Sequence, residues 1–327
     1  MEFLFMLIAS LGGGLIGAAF GANFAFAMVG FVLMGGIGAA VAGDPNMSTM
    51  LFSYVAFGPF LGPHVAFAGG VAAAGYAAKK GYLETGRDVG TPLAKLGKVD
   101  VLMVGALFGA LGFAIQQGIA LIPWFGGHTD GVALAVVLSG MIARLMFGTP
   151  SLLNAKKPGT NGLLGVDDAN CWVRFQEKPS QFLTLGALAG LFAAGVSIML
   201  ATHLPSIGGS ANTLAFGVSA ITIAFLNMGW STPVTHHMTN IGGLAAVAFY
   251  PVVAGAPTIV AAGWNPGAAV GAILIGAVFG AIAGGLGELF QRLFLARGNT
   301  HIDPPAFAIW VGNTLVALCL LAVGGAA

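Results

Sequence analysis

The sequence predicts an all-α integral membrane protein of about ten transmembrane helices, arranged as a 5+5 inverted-topology repeat with broken third and eighth helices. Three observations lead there. First, 57% of the 327 residues are hydrophobic and 7% are charged, with a mean hydropathy of +0.92, whereas a soluble domain is about one quarter charged. Second, the apolar residues fall into separate runs, most long enough to cross a hydrocarbon core, which takes roughly 20 helical residues at 1.5 Å each. Third, the second half of the chain repeats features of the first at a nearly constant offset.

Taken in order, Phe3–Phe20 reads as the first span; its start, Glu2-Phe-Leu-Phe-Met-Leu-Ile8, lacks the basic region of a cleaved signal. Phe24–Val41 is the second. The third, Ser48–Ala78, is too long for one straight crossing, and Gly58-Pro59 and Gly62-Pro63 supply breaks, because proline lacks an N–H and clashes with the preceding turn. Val101–Ile122 and Val132–Phe147 complete five. The polar stretch Gly148–Gln181 follows. Phe182–Leu200, Thr213–Met228, Thr232–Val253 (broken at Pro233), Pro266–Phe294 and Pro305–Val323 make five more. The expected organisation is a first transmembrane repeat over 1–148, a cytoplasmic connecting segment over 149–181 and a second repeat over 182–327.

Charge fixes an orientation, since Lys and Arg collect on the cytoplasmic side. Lys79, Lys80, Arg87, Lys95 and Lys98 follow the third span; Arg144, Lys156, Lys157, Arg174 and Lys178 end or follow the fifth; Arg292 and Arg297 end the ninth. The connections around Asp44, Pro123–Asp130, His203–Asn212 and Gly255–Asn265 carry no Lys or Arg. Both termini are therefore expected outside the cytoplasm, with the protein in the cell membrane.

The duplication rests on matched segments. His64 aligns with His237, 173 positions later, and Gly69-Gly70 with Gly242-Gly243. Gly105-Ala-Leu-Phe-Gly-Ala-Leu-Gly112 matches Gly276-Ala-Val-Phe-Gly-Ala-Ile-Ala283, and Gln117 then meets Glu288. After a small shift, His128-Thr-Asp130 meets His301-Ile-Asp303. Halves of five spans each point opposite ways, the arrangement in which transporters hold substrate near the midplane at interrupted helices. In length and in its five-plus-five spans the architecture resembles those of urea channels and bile-acid-symporter-like carriers, and no residue role is taken from either.

The polar residues inside apolar segments nominate a site, since polar groups in spans tend to face cavities or partners. His64 and His237, beside matching Pro/Gly breaks, are expected as the central polar pair. His236 is less certain, because adjacent helical residues point about 100° apart. Thr232, Thr235, Thr239 and Asn240 are expected to offer hydrogen bonds to a solute, although threonine also bonds backward to its own helix. Asp130 and Asp303 stand at N-cap positions, the latter before Pro304-Pro305; with His128 and His301 they are also candidates for coupling sites at opposite mouths. Glu288 has Arg292 four residues on, the favourable order for a helical ion pair, and a coupling carboxylate is its alternative role.

Other classes find less support. Net charge is +1 with no charged run, so nucleic acid is not an expected partner. Cys171 and Cys319 define no disulfide framework or metal knuckle. No phosphate-binding loop or catalytic-triad signature occurs. The expectation is a non-enzymatic permease, channel or secondary transporter, for a small polar solute, homo-oligomeric in the bilayer, with no cofactor and no metal. A membrane scaffold subunit and a His-metal intramembrane enzyme are the alternatives.

Overall fold

A computed structural model describes residues 1–153, 162–166 and 171–325, so the expected basic pair Lys156-Lys157 lies outside the described residues. The regular structure of the described residues is all helical, with no strand; one isolated bridge pairs Gly86 with Thr300. The helices are α1 (Glu2–Phe20), α2 (Ala22–Val41), α3 (Pro45–Met50, continued as a π-helix over Leu51–Ala56), α4 (Ala66–Lys79), α5 (Val99–Ala120) and α6 (Gly131–Phe147). Then follow α7 (Pro179–His203), α8 (Thr213–Asn227), α9 (His236–Ala254), α10 (Ile259–Ala262), α11 (Pro266–Phe290, continued as a π-helix over Gln291–Leu295) and α12 (Pro304–Ala322). Seven of them, α1, α2, α5, α7, α9, α11 with its extension and α12, are long and apolar enough to cross a membrane, and α6 and α8 are shorter apolar helices. This is consistent with a helical membrane protein, and Phe3, Phe5, Phe31, Leu107, Leu188 and Val278 point outward as lipid-facing side chains would.

The breaks fall where proline demands them. After Ala56 the chain makes turns through Phe57–Val65, around Pro59 and Pro63, before α4 begins. Neither flanking helix alone reaches spanning length. The chain nonetheless keeps its direction through the break: along α2, Gly36 meets Phe52, Phe26 meets Phe67 and Ala22 meets Gly70. Pro45–Lys79 thus runs antiparallel to α2 without doubling back. In the second half Pro233 lies in non-helical backbone, and α9 starts three residues later.

Small residues let the helices approach, as expected where packing rather than hydrophobic exclusion holds helices together. Gly14 of α1 meets Gly105 and Gly109 of α5, and Gly69 of α4 meets both Gly14 and Gly105. Gly190 of α7 meets Gly276 and Gly280 of α11, and Gly242 of α9 meets Gly190 and Gly276. Each of these glycines carries a position where a Cβ would press on neighbouring backbone. The two triads are joined through α2 and α8, where Gly30 and Gly217 touch, and through α6 and the residues just before α12, where Gly140 faces the His301 carbonyl and Ile302.

Candidate functional site

Between these two groups of helices lies a cavity of about 540 Å³. Its wall is assembled from α2 (Phe26), the first break (Phe57, Pro63), α4 (Phe67), the start of α6, α8, the start of α9 and α12. Most of it is apolar. The polar exceptions are Asn23, His128, Thr129, Asp130, Ser210, Asn212, Thr213, His236, Asn240, His301, Asp303 and Asn313.

The start of α9 is set from a distance. Gln176, in the segment joining the halves, donates from Nε2 to the Val234 carbonyl at 2.9 Å and accepts from the Val234 N–H at 3.0 Å. Both backbone groups that Pro233 leaves outside a helix are thereby satisfied. The same segment is pinned by Arg297, which donates to the Leu163 and Gly165 carbonyls, and by Arg292, which donates to the Leu164 and Glu177 carbonyls. Its Trp172 reaches the cavity.

With Val234 fixed, His236 turns into the cavity wall and His237 turns away. The His236 ring packs on Phe26 at 4.7 Å and Phe216 at 6.2 Å between centroids. His237 lies against Gly287 of α11, in a small void with Glu288. His64 is buried against Phe113 and Gly62. Neither His64 nor His237 lines the cavity, and neither ring nitrogen of either has a hydrogen-bond partner. The expected central pair is therefore replaced at the wall by His236, because adjacent positions on one helix face opposite neighbours.

The hydroxyls expected around it are used locally. Thr232 donates to the Thr222 carbonyl at 3.3 Å, and the one hydroxyl proton of Thr239 is shared among Ser219 Oγ and the carbonyls of Thr235 and His236, all within 3.3 Å. Thr235 precedes α9 without a capping bond. Only Asn240 of this group lines the cavity. It accepts from Asn313 Nδ2 at 2.9 Å, and Asn313 Nδ2 also donates to Asp130 Oδ2 at 2.9 Å.

Both aspartates cap helices. Asp130 Oδ1 accepts from the Ala133 N–H and Asp303 Oδ2 from the Ala306 N–H, each at 2.8 Å. Each keeps its second oxygen for a cavity residue: Asn313 for Asp130, and His301 Nε2, 3.0 Å away, for Asp303. They were expected at opposite mouths; instead both line one cavity, because α12 begins beside Gly140, midway down α6. His128 stacks on Trp124 and its Nδ1 lies 2.6 Å from the Trp124 carbonyl oxygen. Glu288 pairs with Arg292 Nε at 2.5 Å, away from the cavity.

Two residues of consequence carried little signal in the sequence. Asn313 is a single amide in an otherwise ordinary apolar run. Arg144, fully buried, donates to the carbonyls of Phe294, Thr300 and Leu152 and to Thr300 Oγ1, tying the end of α6 to the turn that presents His301. Among the described residues no three His, Cys, Asp or Glu side chains are grouped to hold a metal.

No curated protein and no solved structure matches the chain. One family model matches it twice, over residues 1–166 and again over 154–324. The chain belongs to the family described as Family of unknown function (DUF7973).

Proposed function

We propose that this protein is a membrane permease for a small polar solute, and that the solute passes through the cavity between two inverted repeats. The observation that carries the reading is the cavity itself: a space of about 540 Å³ with two carboxylates, three histidines and four asparagine amides on its wall, inside a chain that is 7% charged. Polar and ionisable groups at membrane depth are costly and mark solute or ion paths.

Several features support the inverted repeat, with its first copy over 1–148, its connecting segment over 149–181 and its second copy over 182–327. The family model matches the chain twice. The glycine cluster of α1, α4 and α5 has its counterpart in α7, α9 and α11. The unidirectional path through the first break gives that half five crossings, and an odd number inverts the second copy. The orientation follows from the basic residues, with both termini outside the cytoplasm and the connecting segment meeting the cytoplasmic end of the cavity through Trp172.

The test is flux into proteoliposomes, using a panel of small neutral, cationic and anionic solutes with and without a pH gradient. Flux of at least one solute is expected. It should fall to background in Ala317→Trp, which puts an indole into the cavity wall. Absence of flux for the whole panel, or equal flux through Ala317→Trp, would overturn the reading.

A further inference from the structure

The wall of the cavity is asymmetric in charge. It carries Asp130 and Asp303 but no lysine or arginine. Five helices, α2, α6, α8, α9 and α12, start at it, and each helix start contributes roughly half a positive elementary charge. Two of those starts are the ones the aspartates cap, and α9 has no side-chain cap. The wall offers a cation two carboxylates and an anion no lysine or arginine.

The carboxylate at Asp303 also has a particular neighbourhood. His301, bonded to it, meets the edge of Phe67 at 5.8 Å between centroids. Phe67 adjoins Phe26 at 6.0 Å, Phe26 adjoins Phe216 at 5.9 Å, and Phe57 adjoins Phe216 at 6.0 Å. All four phenylalanines line the cavity. His236, 6% exposed and with Nδ1 unpartnered, sits among the same rings. A carboxylate beside a run of aromatic rings suits an organic cation: the carboxylate attracts the charge and ring faces attract an alkylated ammonium. A bare metal ion would fill little of a space this large and would find no ligand cluster.

We infer that the solute of this cavity is a small organic ammonium cation, held by Asp303 and the rings of Phe26, Phe67 and Phe216, with Asp130 as a second carboxylate along the path. This deepens the permease reading and rests on it for the word solute; the binding site itself does not.

The experiment is calorimetric titration of the purified protein in detergent with three isosteric probes: choline, its neutral carbon analogue 3,3-dimethylbutan-1-ol, and the anion 3,3-dimethylbutyrate. Choline is expected to bind at least tenfold more tightly than the alcohol, with no heat from the anion. Asp303→Asn should bring choline down to the level of the alcohol, and Asp130→Asn should have a smaller effect. Asparagine also caps helices, so both variants are expected to fold, and an unchanged melting temperature checks this. Equal binding of choline and alcohol, tighter binding of the anion, no binding of choline, or choline affinity indifferent to both substitutions would overturn the inference. Flux separates the two proposals. If neutral solutes cross the bilayer and Ala317→Trp stops them while choline does not bind, the permease stands and the cation site falls. If choline binds through Asp303 and nothing crosses, the cation site stands and the permease falls.

Discussion

At the first helix break the chain supports itself: the Gly62 N–H donates to the Gly58 carbonyl, Val65 and Ala66 donate to the Gly62 carbonyl, and His64 closes against Gly112 of the neighbouring helix. At the second break Met228, Gly229, Trp230 and Thr232 donate to nearby carbonyls, but Val234 is held by a glutamine 58 residues earlier, which binds both its N–H and its carbonyl. The two breaks grow from matched sequence, with a histidine and a Gly-Gly pair at the same spacing. Both reach the cavity, the first through Phe57 and Pro63 and the second through Val234, but the first is closed by its own backbone and the second by a side chain from the segment between the halves. The difference teaches that matched glycine packing does not require matched support: the first break is closed by its own backbone, while the second depends at Val234 on the segment between the halves.

The largest test of this contrast lies at Gly112. A Cβ there would run into the His64 carbonyl oxygen, a backbone atom with no freedom to move. Its counterpart in the second half is Ala283, a fully buried position that already carries a Cβ. Gly112→Ala is therefore expected to cost about 4 kcal/mol, at the severe end for a single substitution, and folded protein should fail to accumulate on size-exclusion chromatography. Ala283→Gly should cost only about 1 kcal/mol, the usual helix-interior penalty. Similar costs for the two would mean that the breaks are not built differently.

Next in size is Gln176→Ala. It leaves the buried Val234 N–H and C=O without partners, at about 1–3 kcal/mol for each unsatisfied group. A fall in melting temperature is expected together with loss of cavity function, because the register of His236 depends on this clamp. Gln176→Glu restores the acceptor for the N–H but not the donor, and should fall between. A Gln176→Ala protein as stable and as active as the parent would show that the second break holds itself.

The histidines give a smaller and sharper comparison. His64→Leu and His237→Leu each replace a buried imidazole that has no hydrogen-bond partner by an apolar group of similar size, so stability should hold or rise slightly, and solute binding should stay as it was. His236→Ala, by contrast, removes part of the cavity wall and should weaken binding. Loss of binding on substituting His64 would return that residue to the path.

These residues also mark how far the sequence could be read. The breaks were legible because proline cannot continue a helix, and the caps because Asp130 and Asp303 stand before helix starts. The Glu288–Arg292 pair followed from spacing alone. The close glycine contacts were legible as a repeat. The choice between His236 and His237 was not, since a rotation of about 100° separates them and that rotation is set by Gln176, remote in the chain. The depth of Asp303 was hidden too: nothing local to α12 says that it starts beside the middle of α6. Asn313 matters only because Asp130 and Asn240 arrive on either side of it, and Arg144 only because a turn from the other half offers it carbonyls.

The smallest predicted effect reads the clamp from outside the helices. Cys171 precedes Trp172 in the segment that closes over the second break. Burial pushes its thiol up to about 12, with the Glu177 carboxylate, its hydrogen-bond partner, acting in the same direction. The thiolate is the nucleophile, so at pH 8 only about one molecule in 10⁴ carries it, by the ratio that four pH units imply. A Cys319→Ala protein, in which Cys171 is the remaining thiol, should thus resist iodoacetamide at pH 8 when folded and react readily in detergent denaturant. Glu177→Gln removes the neighbouring negative charge and should raise the rate. Gln176→Ala should raise it further, by releasing the segment from Val234 and opening Cys171 to water. If Gln176→Ala leaves labelling as slow as before, the segment is held by Arg292 and Arg297 alone, and the second break would have to be stabilised by the helices around it.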